Sequence, residues 1–187
     1  TNLDAIMRWL PLDIPANVVR DYIYNKSIYP ASLPASAESL AIEQALARQN
    51  LHMAMTLTGR DFPVSIRRPT PDRTPFFEPI LASGGVLTTA PTLGQSLMML
   101  LDGIQPSGIT TFILDQNNLL PALGAAASHN TYLPVQVLES GAFMGLATVV
   151  SPTVDARPGV PVLRVRLVTK SSGETRLEVK QGSLEIL

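Results

Sequence analysis

The chain has 187 residues, of which 45% are hydrophobic and 16% charged, with a formal net charge of −1 and no cysteine. That is apolar material enough for a core, and too little charge for disorder or for the basic footprint of a nucleic-acid binder. The lack of thiols excludes disulfides, a cysteine nucleophile and cysteine-held metal, and fits a reducing, cytoplasmic setting. No apolar run reaches the roughly 20 residues that a bilayer crossing needs, so neither nucleic acid nor membrane is an expected partner.

The opening "TNLDAIMRWLPLDIP" lacks an initiator Met, a basic n-region and a cleavage pattern, and the closing "GSLEIL" stops inside what reads as a strand. The chain therefore reads as an excised part of a longer protein. Prolines at positions 11, 15, 30 and 34 limit the first 35 residues to short helices, such as Asn2–Leu10 and Asn17–Asn25. From Ser36 to Gly59 the pattern is that of a long helix. Ser36 is placed to cap it, Glu38 lies in its first turn, and Gly59 is placed to end it. Ile42, Leu46, Met53 and Leu57 form one apolar stripe, and Leu40, Ala47, Leu51 and Ala54 another, so the helix is expected to be largely buried. Ala41, Ala45 and Ala47 would let a neighbour approach closely. Within this helix, Glu43 and Arg48 are expected to pair with neighbours, the alternative being that Arg48 reaches towards a ligand-binding edge.

Residues 62–79 form a proline-rich connection carrying Arg67, Arg68 and Arg73, expected to be exposed and mobile. A regular pattern follows. "PILAS" (79–83) has strand length. Thr92 and Gln95 match a capping box, so a helix should start at Leu93. "ITTFILD" (109–115) is a second strand, rich in β-branched and aromatic residues. Asn117 or Asn118 can cap the helix "LLPALGAAAS", with Pro121 in its first turn. Residues 79–128 thus read β-α-β-α, with a connection long enough for a parallel crossover. Beyond Pro134 the chain reads as β-rich. "PVQVLE" (134–139) is a candidate strand and "GAFMGLATVVSP" is apolar. Leu163, Val165 and Leu167 alternate with Arg164 and Arg166, while Leu177 and Val179 alternate with charged residues across the turn "KSSGE". "SLEIL" reads as an edge strand whose neighbour was removed.

In an open α/β sheet, ligands bind beyond the carboxyl ends of the strands. The first strand ends in Ser83-Gly84-Gly85 and the second in Asp115-Gln116-Asn117-Asn118, and parallel pairing would bring both ends to one edge. Glycines let a ligand lie against backbone, and the helix start near Thr92 offers unpaired N–H groups. Two readings of the glycine pair stay open on spacing alone, a turn or a ligand cradle. Asp115 suits a turn or cap better than an acid catalyst. His52 reads as a helix-face residue and His129 as a loop residue. No nucleophile–base set and no phosphate loop is visible. Met53, Met55, Met98 and Met99 read as core filler.

The stretches "MRWLP", "NKSIYPASLP", "AIEQALAR", "ASGGVLTTAP", "LLDGIQPSGITTFILD", "LLPALGAAA" and "VQVLESGAF" resemble the MutL-like glutamate mutase accessory proteins, which are unrelated to the mismatch-repair protein of similar name. The resemblance runs through most of the chain. It implies membership of the actin-like superfamily of sugar kinases and heat-shock chaperones, and an α/β fold in which residues 1–134 belong to the second lobe of an actin-like ATPase. A truncated, antiparallel β-rich region would follow over 135–187. It implies that Ser83, Gly84, Gly85 and Val86, with Asp115 across the edge, hold the adenosine of ATP, and that "PALGAAA" closes the lobe. The helix after the glycines would begin only once the chain has passed the nucleoside. The acidic phosphate motifs of the superfamily are not visible, so ATP and Mg²⁺ would be engaged by the longer protein while this chain performs no catalysis. The partner would be an adenosylcobalamin-dependent mutase, reactivated in a chaperone-like way, with homo-oligomers possible through the β-rich end. A protein-interaction module on a degenerate actin-like fold is the alternative.

Overall fold

The computed structural model describes residues 2–59, 61–63, 65–67, 69–70, 73–169 and 173–187. Arg68 and most of the "KSSGE" turn lie outside them.

Three helices come first: α1 (Leu3–Met7), α2 (Ala16–Ile28) and α3 (Ala37–Thr58). The Asn2 side chain accepts from the Asp4 N–H, capping α1. Ser36 caps α3, with Ser39 returning the bond to the Ser36 N–H. Gly59 ends α3 in a right-handed conformation, not a left-handed one. Ile6, Ile14, Val19, Ala41, Ile42 and Ala45 close into one core cluster between these helices. The enclosure of α3 stops halfway. Its later residues Ala47, Leu51 and Met55 turn to a second core, whereas Met53 and Leu57 face solvent. The expectation of a largely buried helix holds only for its first half, because α1 and α2 are too short to cover the rest. Glu43 is buried, accepts from the Tyr22 hydroxyl at 2.7 Å and pairs with Lys26 at 2.6 Å. Burial, then the adjacent Glu43 carboxylate, pushes the Tyr22 phenol up from its ordinary range. Arg48 pairs with Asp102 at 2.7 Å.

The second core is built on a parallel pair, β1 (Ile80–Ser83) and β2 (Gly108–Asp115). Between them run α4 (Gly85–Thr88) and α5 (Leu93–Ile104). Thr110, Phe112 and Leu114 alternate inward along β2, and Phe112 and Leu114 meet Met99, Leu100 and Ile104 of α5. The close approach of α3 to α5 is made by Gly103, where an added Cβ would lie 2.5 Å from the Leu51 Cβ. The α3 alanines serve the close packing expected of them elsewhere, Ala41 and Ala45 in the first core and Ala47 against the second. The proline-rich connection is tied down at its end. Thr74 donates to the Ile104 carbonyl, Thr110 to the Phe77 carbonyl, and the Thr111 N–H to Glu78.

The later elements are α6 (Leu120–Ala127), α7 (Tyr132–Glu139), β3 (Met144–Ser151), β4 (Pro161–Thr169) and β5 (Gly173–Lys180). Residues 134–139, read as a strand, are helical. The Asn130 side chain accepts from the Tyr132 and Leu133 N–H groups, and Pro134 falls in the first turn, where its missing N–H is no loss. A short apolar run does not distinguish strand from helix; its flanks did. β3 pairs antiparallel with β2, giving the order β1-β2-β3, and among the described residues β4 pairs only with β5. Residues 183–187 form no strand. Gly182, at φ 85°, and the Ser183 hydroxyl bonded to Lys180 turn the chain out of the ladder. The described chain is a mixed α/β fold with seven helices and two small, mostly antiparallel sheets.

Candidate functional site

Parallel pairing makes Ser83 and Asp115 register partners, so both strand ends reach one edge. The Ser83 hydroxyl donates to Asn118 Oδ1 at 2.9 Å, tying the two loops together. Asn118 sits at φ 54°, a left-handed conformation that asparagine tolerates. Neither asparagine caps α6. That place is taken by Asp115, whose Oδ2 accepts from the Leu120 N–H at 2.8 Å. Asp115 is fully buried, and its Oδ1 has no protein partner. It shapes the loop from beneath rather than lining its surface.

Gly84 lies at φ 135°, ψ 145°, a conformation that side-chain-bearing residues rarely adopt. Gly85 is helical. An added Cβ at either glycine would meet nothing within 4 Å, so the backbone here is open to a ligand. The helix does not wait for the chain to pass. It begins at Gly85 as α4, and the carbonyl of Gly84 accepts from the Leu87 and Thr88 N–H groups. Val86 is half-buried against the second core and holds α4 down. Thr92 caps α5 through the Gln95 N–H, but the reciprocal bond is missing, since Gln95 Oε1 is buried without a partner. The helix start at Thr92 is thus separated from the glycines by α4.

The structure therefore brings Ser83, Gly84, Gly85 and Asp115 to one edge, and turns Val86 inward. Asn118, expected at the strand end and as a cap, instead ties the two loops together through Ser83. Gln116 and Asn117 are exposed beside it. This edge offers bare backbone, amides and one hydroxyl. It suits holding a flat polar ligand. Among the described residues no three of His, Cys, Asp and Glu converge as metal ligands would. Elsewhere, His52 packs edge-on to Trp9, His129 is exposed in a loop, Met99 is buried and Met98 is half-open. The Tyr22–Glu43–Lys26 cluster bears out the expected pairing of Glu43, although its partners were not named from the sequence. Its signal was present as Tyr22 and Lys26, one turn apart on α2, opposite an acid in a buried helix.

The fold and the edge together define a mixed α/β protein with a glycine-lined edge at the ends of two parallel strands. Residues 1–141 match the family model described as MutL protein. That is well over half of the chain, which belongs to this family, the MutL-like proteins associated with glutamate mutase. No curated protein and no solved structure matches the chain. No helix among the described residues is long and apolar enough to cross a membrane.

Proposed function

We propose that this chain is part of a glutamate mutase accessory protein of the actin-like type, and that its Ser83–Gly85 edge supplies the adenosine side of an ATP site. The observation that carries the reading is the open Gly84–Gly85 backbone at the carboxyl ends of β1 and β2, held in place by the Ser83–Asn118 bond. The residues fit a nucleoside, which needs a flat, unobstructed wall with polar groups at its rim. They do not fit a Mg²⁺–phosphate centre, and no phosphoryl transfer is assigned to them. In this reading the chain acts in the cytoplasm beside an adenosylcobalamin-dependent mutase, and ATP bound at this edge adjusts its hold on that enzyme.

A second reading has one observation in its favour. The apolar helices α6 and α7 pack on each other and contribute no buried residue, which suits a module that binds a protein partner and has lost its nucleotide. Calorimetry separates the two. The protein should bind ATP, and Gly85→Val should weaken binding at least tenfold, or about 1.4 kcal/mol. The fold should tolerate that substitution, because Gly85 is helical and its Cβ position is empty. Equal binding by both proteins, or no binding by either, would put the interaction module first.

A further inference from the structure

The β4–β5 hairpin is a two-stranded sheet, and two strands alone are marginal in water. Its outer edges have no neighbouring strand among the described residues. Leu163, Val165, Leu177 and Val179 share one face, since Leu163 pairs with Val179 and Val165 with Leu177. The other face is charged. Arg164 meets Glu178 at 3.1 Å, and Glu174 is shared by Arg166 at 2.7 Å and Arg176 at 2.5 Å.

Along the charged face of β5 the order is Glu174, Arg176, Glu178, Lys180. That order is self-complementary about Leu177. In an antiparallel pairing of β5 with β5 of a second copy, centred on Leu177, every Arg176 faces a Glu178 and every Glu174 faces a Lys180. Opposite charges directly across a ladder stabilise it, and like charges destabilise it. Centring the pair on Arg176 or Glu178 instead sets like charges against each other. The outer edge of β4 has no such solution, because centring on Val165 puts Arg164 opposite Arg166. Arg176 keeps 76% of its side-chain surface in solvent, so it has room for a further partner.

We propose that two copies of this chain join through β5 into a four-stranded antiparallel sheet, in the order β4-β5-β5-β4, with its two-fold axis at Leu177. The contact is isologous and closes as a dimer, and it doubles the apolar face of the hairpin. It does not depend on the nucleotide reading.

Sedimentation of the whole chain across a concentration series should show a monomer–dimer equilibrium. Glu178→Arg should weaken it at least tenfold. Exchanging both charges, Arg176→Glu with Glu178→Arg, should restore it, because opposite charges again face each other across the axis. Within the hairpin that exchange trades one favourable pair for another, at Arg164 and Arg166, so the monomer is expected to fold alike; circular dichroism checks this. The chain has no cysteine of its own. Leu177→Cys should therefore cross-link to itself on mild oxidation, since directly opposed residues lie within disulfide reach. Val165→Cys, one strand further from the axis, should not. A monomer at every concentration overturns the proposal. So does a dimer that ignores Glu178→Arg, or one that Leu177→Cys fails to cross-link, since either places the contact elsewhere.

Discussion

The molecule divides at Asp115. Among the described residues, every buried one lies between Ile6 and Asp115, and none lies in 116–187. The later region is not short of apolar side chains. Tyr132, Val135 and Leu138 on α7, Val150 on β3 and Val168 on β4 are all exposed. The two regions differ in layering. An apolar face is buried only when a second layer covers it. Before Asp115, α1 and α2 sit on α3, and α3 and α5 enclose one face of the β1–β2 sheet. After it, only β3 lies against a core, through the half-buried Met144, Leu146 and Val149, while α6 packs on α7 and β4 pairs with β5, each a couple with little else against it among the described residues. Hydrophobic content alone therefore says little about where the core is.

Core truncation should separate the regions most. Phe112 is fully buried, and Phe112→Ala should destabilise by about 3–5 kcal/mol in denaturant unfolding. Val150→Ala, on the neighbouring strand but 47% exposed, should stay within about 0.5 kcal/mol. Comparable losses would mean that the later region has a covered core after all.

Charge pairs should differ in the same way. Lys26→Met leaves Glu43 buried with only Tyr22 beside it, and should cost about 3 kcal/mol. Adding Glu43→Gln should recover much of that loss. The hairpin pair of Arg164 and Glu178 is open to water, so Arg164→Met should leave the monomer's stability almost unchanged. A measurable loss at Arg164 would show that the hairpin is more enclosed than its monomer surface indicates.

The smallest contrast concerns two helical glycines. Gly103→Ala drives a Cβ against Leu51 and should cost about 1–2 kcal/mol, even after the gain in helix propensity. Gly124 on α6 has open space around its Cβ position, so Gly124→Ala should stabilise by about 0.5–1 kcal/mol. Thermal melts of both variants should move in opposite directions.

Local hydrogen-bond chemistry was legible at the starts of two core-forming helices and in one strand. Ser36 at the start of α3, Thr92 at the start of α5 and the strand "ITTFILD" were all readable, because a cap or a β-branched run carries its reason within a few residues. So was the meeting of Ser83 with Asp115, since two parallel strands must end on one edge. The membership of the glutamate mutase-associated family was also written in local motifs.

Other features depended on what came to lie across from them. The segment 134–139 became helical when Asn130 capped it and no sheet edge took it up. Half of a capping box at Gln95 stayed unmade, and Asp115 took the capping place open to Asn117 or Asn118. Gly103, indistinct in sequence, became a close-contact residue only because Leu51 of a distant helix lies over it. Apolar periodicity fixes which face of an element seeks cover. Whether cover arrives is set by partners far away in the chain, and so only the tertiary structure decided that full burial ends at Asp115.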